Sequence, residues 1–233
     1  MFNQKFLTKI FFLFFMSLAH INSFGATKSH LNIINGASTE CVMHKFYTNS
    51  GWTQIEGEVG RNGIDGLYYK KRNGVIRGVL IAESKWNTSR LGLSGKGKTI
   101  RQMSQEWVIR VLKRLQKYKP IPEYSSILKL VQNGQYRARL FRLKPVGEES
   151  IQISIYKIKN KGFKTFEKIK ERQLKPININ HPSNSFEKGI IRAYNDCRRK
   201  YLHRYLPSLP DIEIERLMND NYIQPKDISR DHL

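Results

Sequence analysis

G-I-D-G-L-Y-Y-K-K-R-N-G-V-I-R-G-V-L-I-A-E-S-K-W, residues 63–86, is the stretch whose reading decides the fold. Two apolar, β-rich runs flank Asn73-Gly74, a dipeptide suited to a tight turn, so the segment reads as a β-hairpin. Residues two apart on a strand share a face, which puts Glu83 and Lys85 on the same side. Whether Asp65 joins them depends on the turn. A two-residue loop in a regular ladder pairs Asp65 with Ala82 and leaves it on the face opposite Glu83. A three-residue loop, Arg72-Asn73-Gly74 with Gly74 left-handed, pairs Asp65 with Ile81 and gathers Asp65, Glu83 and Lys85 on one face. That loop is expected, or a bulge at Gly63, Gly66 or Gly78 with the same effect.

The residue types on that face suit one chemistry. Two carboxylates on adjacent strands supply hard oxygen ligands for a divalent cation such as Mg²⁺ or Mn²⁺. Such a cation polarises a phosphoryl oxygen and activates water, and a lysine beside it stabilises the charge that develops. The plainer alternative is a strand end whose E-x-K forms a surface ion pair. The apolar run 79–82 argues for a central, buried strand instead.

Residues 1–25 read as a secretory signal peptide: Lys5 and Lys9, an apolar run over 10–19, then Ser23-Phe24-Gly25 before a cleavage point at Ala26. The run is too short to span a membrane comfortably, so no stable anchor is expected after cleavage. An exported chain, periplasmic or secreted, follows. The formal net charge is +22, of which Lys5 and Lys9 contribute two, so +20 remains. An excess of that size calls for a polyanionic partner, either nucleic acid or an anionic surface polymer. Of the two cysteines, Cys41 and Cys197, an oxidising compartment permits one disulfide, closing a long loop worth about 4 kcal/mol in the chain-entropy account. Neither they nor the six histidines have zinc-site spacing.

Around the hairpin the pattern gives a helix over 38–50, stopped by Gly51, and a strand over 52–59. A Gly-, Ser- and Lys-rich loop over 87–98 suits phosphate binding or plain solvation. The clearest helix spans 99–117, with Ile100, Met103, Trp107, Val111 and Leu115 on its buried face and Thr99-x-x-Gln102 as a capping box. A short helix over 123–132 and two strands, 135–144 and 151–159, follow. Residues 160–184 read as basic and irregular. Helices over 185–205 and 211–219 close the chain, with a frayed tail from Lys226. The expected fold is α/β: a mixed central β-sheet flanked by helices, with an αβββαβ core. The expected division is a signal peptide (1–25), a catalytic domain (26–160) and a basic, mainly helical C-terminal extension (161–233). Glu40, in the first turn of its helix, reads from spacing alone as an acid favoured by the helix dipole.

Asp65, then Glu83-x-Lys85, within this order of elements resembles the PD-(D/E)xK, restriction-endonuclease-like superfamily, with Ile64 where that pattern usually carries proline. More closely, G-I-D-G-L-Y-Y-K, L-I-A-E-S-K-W and R-Q-M-S-Q-E-W-V are similar to nuclease domains of bacterial polymorphic toxins, including those of contact-dependent inhibition. The likeness covers about residues 40–115. It implies Asp65, Glu83 and Glu40 as metal ligands and Lys85 as the catalytic lysine. It implies an active-site role for Gln102, against which the capping box stands as rival, and a core role for Trp107. Those toxin domains hang from a long export scaffold, whereas this chain carries its own signal sequence. The expected function is an exported Mg²⁺- or Mn²⁺-dependent endonuclease, with DNA favoured over RNA. A toxin or effector role, with an acidic immunity protein as partner, goes with that family. The alternative is a nuclease-like fold that binds polyanions without cutting them.

Overall fold

The computed structural model describes residues 28–58, 63–94, 97 and 99–219. The expected signal segment and the tail from Lys226 lie outside the described residues. Strand β3 (Val75–Trp86) is the axis of the molecule, and six consecutive residues, Val79–Ser84, are buried. A strand shielded on both faces needs apolar residues in both alternating sets. Val79 and Ile81 point into one core, and Leu80 and Ala82 into the other.

A seven-stranded sheet is built around it. β1 (Thr53–Ile55) and β2 (Gly66–Arg72) lie to one side, antiparallel to their neighbours. On the other side β6 (Arg137–Val146) runs parallel to β3, and β7 (Ser150–Asn160) and β8 (Phe166–Gln173) continue antiparallel. β9 (Ile177–Asn178) also pairs with β7. The parallel β3–β6 step requires a crossover. It holds a small two-stranded ladder, β4 (Leu93–Ser94) with β5 (Ile100–Arg101), then helices α2 (Gln105–Tyr118) and α3 (Pro122–Gln132). These helices cover one face through Trp107, Val108, Val111, Leu112, Leu115, Tyr124 and Ile127.

Helix α1 (Lys28–Asn49) and helix α4 (Ser185–Tyr205) cover the other face, joined by Val42, Met43, Tyr47, Ile190, Ile191 and Tyr194. A Cys41–Cys197 disulfide ties these two helices across 156 residues of sequence. Lys45 donates to Asp196 at 2.9 Å one turn away. A third small core, Ile34, Leu202, Ile214, Leu217 and Met218, seats α5 (Asp211–Asn219). Among the described residues no helix is long and apolar enough to cross a membrane.

The expected mixed sheet between helices is what the chain forms. Three local readings change. α1 starts ten residues before position 38, because Leu31 and Ile34 are buried. α2 starts at Gln105, capped by Ser104, whose hydroxyl accepts from the Trp107 backbone N–H at 3.3 Å. Ile100 and Arg101 are taken by the ladder with β4, so the expected capping box does not exist. Residues 160–184 are not irregular throughout, and the extension is not mainly helical where it begins: β8 and β9 belong to the main sheet. β8 is mostly exposed and rich in Lys and Glu, the composition of a guarded edge strand, so alternation is missing from its sequence. Backbone pairing with β7 holds it.

Because the disulfide links the first described helix to the fourth, its loss is expected to act on the whole fold. A Cys41→Ser/Cys197→Ser double variant should lose about 2–5 kcal/mol of unfolding free energy, read by urea denaturation.

Candidate active site

The hairpin meets the problem of Asp65 in an unexpected way. Its loop has two residues, since Arg72 pairs directly with Val75. Asn73 and Gly74 have φ of 53° and 74°, the left-handed pair of a tight hairpin turn. The three-residue loop is thus corrected. The offset comes from a bulge: Lys71 pairs with Ile76 and Lys70 with Gly78, leaving Arg77 as the extra residue beside Gly78. Bulging at Gly78 was the other device anticipated. From there the ladder runs to Gly66 opposite Ala82, so Asp65 comes next, across from Glu83.

Two glycines fix the approach to Asp65. The Ile64 N–H donates to the Gly57 carbonyl at 2.8 Å. A Cβ on Gly57 would stand 2.3 Å from the Ile64 carbonyl oxygen, and one on Gly63 would stand 2.5 Å from Glu58 Cα. Only glycine allows this crossing, which places Glu58 beside the strand end.

The two carboxyl groups are held differently. Asp65 Oδ2 accepts from the Ser84 backbone N–H and the Ser84 hydroxyl, both at 2.9 Å. Glu83 is 1% exposed. Its Oε1 accepts from Lys85 Nζ and Gln102 Nε2, each at 2.6 Å, while its Oε2 is buried without a hydrogen-bond partner. Burial, then the Asp65 charge, pushes the Glu83 carboxyl well above its ordinary range. Burial, then the Glu40 charge, raises Asp65, opposed by the Ser84 donors and Lys85.

Two clefts meet here. Glu58, Asp65, Glu83, Lys85 and Gln102 line one of about 280 Å³. Glu40, Asp65, Lys85 and the loop from Asn87 to Arg90 line the other, of about 510 Å³. Asp65 and Lys85 stand on the ridge between them. Donors from Arg142 to the Asn87 and Ser89 carbonyls pin that loop.

All five residues singled out from the sequence line one or both of these clefts. Asp65, Glu83, Lys85 and Gln102 form one contact set. Gln102 reaches it because the chain turns at Met103, a buried residue with φ of 73°, and the Gln102 side-chain Oε1 accepts from the Gly92 N–H at 3.0 Å. Its place is therefore in the site and not in a helix cap. Glu40 stands on the far side of Asp65, and it lies in mid-helix, so the dipole explanation of its position fails. His44 bridges Glu40 and Tyr68, its Nε2 3.3 Å from Glu40 Oε1 and its Nδ1 2.7 Å from the Tyr68 hydroxyl. Gly66 makes room for that Tyr68 ring, since a Cβ there would stand 2.6 Å from it.

The sequence reading missed Glu58, Ser84, His44 and Tyr68. Ser84 could have been found inside E-S-K as the one donor between the two acids. Glu58 could not, because the Gly57–Ile64 crossing that delivers it is a tertiary contact. Burial and the charges of Glu40, Glu56 and Asp65 raise the Glu58 carboxyl as well.

Among the described residues no three acids, histidines or cysteines stand close enough to make a closed metal cage. An open site suits Mg²⁺, which keeps several waters and takes one or two carboxylates. Glu83 Oε2, which no donor reaches, and the Asp65 carboxyl beside it fit such a cation. No protein-family model, curated protein or solved structure matches this chain.

Two measurements check this geometry. The folded protein holds a proton on Glu83 where the unfolded chain has released it, so stability falls as pH rises above the ordinary carboxyl range. In EDTA, Glu83→Gln should match wild type at about pH 4 and exceed it increasingly toward about pH 8, followed by urea denaturation. Adding Mg²⁺ or Mn²⁺ should raise the wild-type midpoint and leave the variant's unchanged. Separately, Gly57→Ala should cost about 1–3 kcal/mol of stability, because the added methyl meets a backbone carbonyl that cannot move aside.

Proposed function

We propose that this chain is an exported, divalent-cation-dependent endonuclease that hydrolyses phosphodiester bonds of nucleic acid. The observation that carries the reading is Asp65 set across from Glu83, with Lys85 between the two clefts and one Glu83 oxygen unpaired. Asp65 and Glu83 would hold the cation, with Glu40 adding negative charge from the far side of Asp65. When bound, Mg²⁺ or Mn²⁺ polarises a phosphoryl oxygen and makes water a better nucleophile. The protein's own work is placement and charge. Lys85 offers its ammonium to the oxygens that gain charge in the transition state. Gln102 orients Glu83 through its 2.6 Å hydrogen bond and is itself aimed by the Gly92 backbone. Ser84 fixes Asp65 with two donors that favour its ionised form against burial. The pinned loop from Asn87 to Arg90 forms the wall along which a backbone phosphate lies.

Charge supports the substrate class, since a chain of +22 concentrates a polyanion at its surface. DNA is favoured over RNA by the resemblance to restriction-endonuclease-like enzymes. The disulfide between Cys41 and Cys197 supports an oxidising, periplasmic or secreted location. A toxin or effector role, with an acidic immunity protein as partner, is the biological setting that the same resemblance suggests.

The test is cleavage of plasmid DNA and total RNA by the chain beginning at Ala26, with Mg²⁺, Mn²⁺ or EDTA. Asp65→Ala, Glu83→Ala and Lys85→Ala should each reduce metal-dependent cleavage by about 100-fold or more. Gln102→Ala, which removes only the orienting contact, should lose less than these three. Cleavage unchanged in all three alanine variants overturns the proposal. Salt-sensitive retardation without cleavage in every metal leaves the polyanion-binding alternative in its place.

A further inference from the structure

On the sheet face opposite Glu83, beyond the end of α1, lies a third cleft of about 380 Å³. The alternation that buries Phe141 and Leu143 of β6 against α1 and α4 puts Arg137 and Arg139 on the same face. Helix α1 stops at Asn49, which leaves Arg137 exposed and Arg139 partly covered. Trp52 and Phe46 form the aromatic wall, Tyr47 lines the cleft with them, and Arg172 enters from β8.

The charges of this cleft are unequally committed. Arg139 is engaged by Glu171, to which its guanidinium donates at 2.8 Å. Arg137 and Arg172 have no acidic partner among the described residues. The Arg137 guanidinium stands 5.9 Å from the Trp52 ring centre, and Lys70 Nζ 4.9 Å from the same ring. Tyr47 is 6% exposed, and its buried hydroxyl has no hydrogen-bond partner. That is uncommon for a buried tyrosine. The hydroxyl lies close enough to Arg139 and Glu171 for both charges to act on it.

An electron-rich indole beside cations, two guanidinium groups that touch aromatic rings but no carboxylate, and one unused hydroxyl make a complementary set. The indole suits a planar heterocycle, the guanidinium forks suit a phosphate, and the hydroxyl completes the polar contacts. The volume falls in the range of small-ligand pockets. We infer that this cleft binds one nucleotide unit, its base stacked on Trp52 and its phosphate taken by Arg137 and Arg172, with the Tyr47 hydroxyl as a further hydrogen-bond partner. The unit comes either from a free nucleoside monophosphate or from an unpaired position of a strand. The site stands on its own residues and does not depend on hydrolysis at Asp65 and Glu83.

The experiment is calorimetric titration of the Glu83→Gln protein in EDTA, at matched ionic strength, with AMP, adenosine and inorganic phosphate. AMP should bind at least about tenfold more tightly than either half alone, because stacking and phosphate capture add. Tyr47→Phe, which removes a hydroxyl with no partner in the free protein, should fold normally and weaken AMP binding by about 3- to 10-fold. Trp52→Ala should abolish the preference for AMP over phosphate and leave phosphate affinity intact. Arg172→Ala should weaken both. Equal affinity for AMP and phosphate, or AMP binding unchanged in both Tyr47→Phe and Trp52→Ala, overturns the inference. Displacement of AMP by oligothymidylate assigns the unit to a strand, and no displacement assigns it to the free nucleotide. Since binding is read without metal and on a variant altered in the other cleft, its outcome is separate from that of the cleavage test.

Discussion

Two acidic side chains held across from each other at one end of a buried strand are the constraint on which the rest of this structure depends. Water would separate and solvate them; the sheet instead places Asp65 opposite Glu83 with burial that raises both carboxyl groups. Such an arrangement persists only where the surrounding fold over-determines it. Each support has a visible source. The bulge beside Gly78 sets the register, the glycines at 57 and 63 let the chain close over the strand end, and Ser84, Lys85 and Gln102 supply the donors.

The two faces of the sheet divide the work. On one, α2 and α3 pack over the crossover and bring Gln102 to Glu83 through the turn at Met103. A left-handed non-glycine residue is costly, and here the burial of the Met103 side chain offsets that cost. On the other, α1 carries Glu40 and His44 toward the site, and α4 fastens α1 in place through the disulfide and the Lys45–Asp196 pair. The shortness of α1 at its C-terminal end matters too. It leaves Arg137 exposed and Arg139 partly so on the sheet beside Trp52, where aliphatic residues would be expected under a longer helix.

Legibility in the sequence followed the range of the interactions. Asp65, Glu83 and Lys85 were readable because strand periodicity is local and Asn73-Gly74 marks the turn. The means of bringing Asp65 to that face was misread at the loop, since a two-residue turn and a bulge give the same grouping as a longer turn. Gln102 was ambiguous because T-x-x-Q suits a helix start, and only the pairing of Ile100 and Arg101 with β4 takes those residues out of the helix. β8 was missed outright: an edge strand of Lys and Glu has no apolar alternation to show.

The sequence by itself determined the apolar run of β3, the alternation of β6 and β7, the helical stripe of α2, the high net charge and the three side chains of the hairpin end. These follow from periodicity and composition, which need no knowledge of what lies across space. The tertiary structure alone decided the delivery of Glu58 by the Gly57–Ile64 crossing, the coupling of Glu40 to Asp65, the unpaired oxygen of Glu83 and the arginine cleft behind the sheet. Each depends on which surfaces meet and which polar atoms find partners, and that is set by packing between elements far apart in the chain.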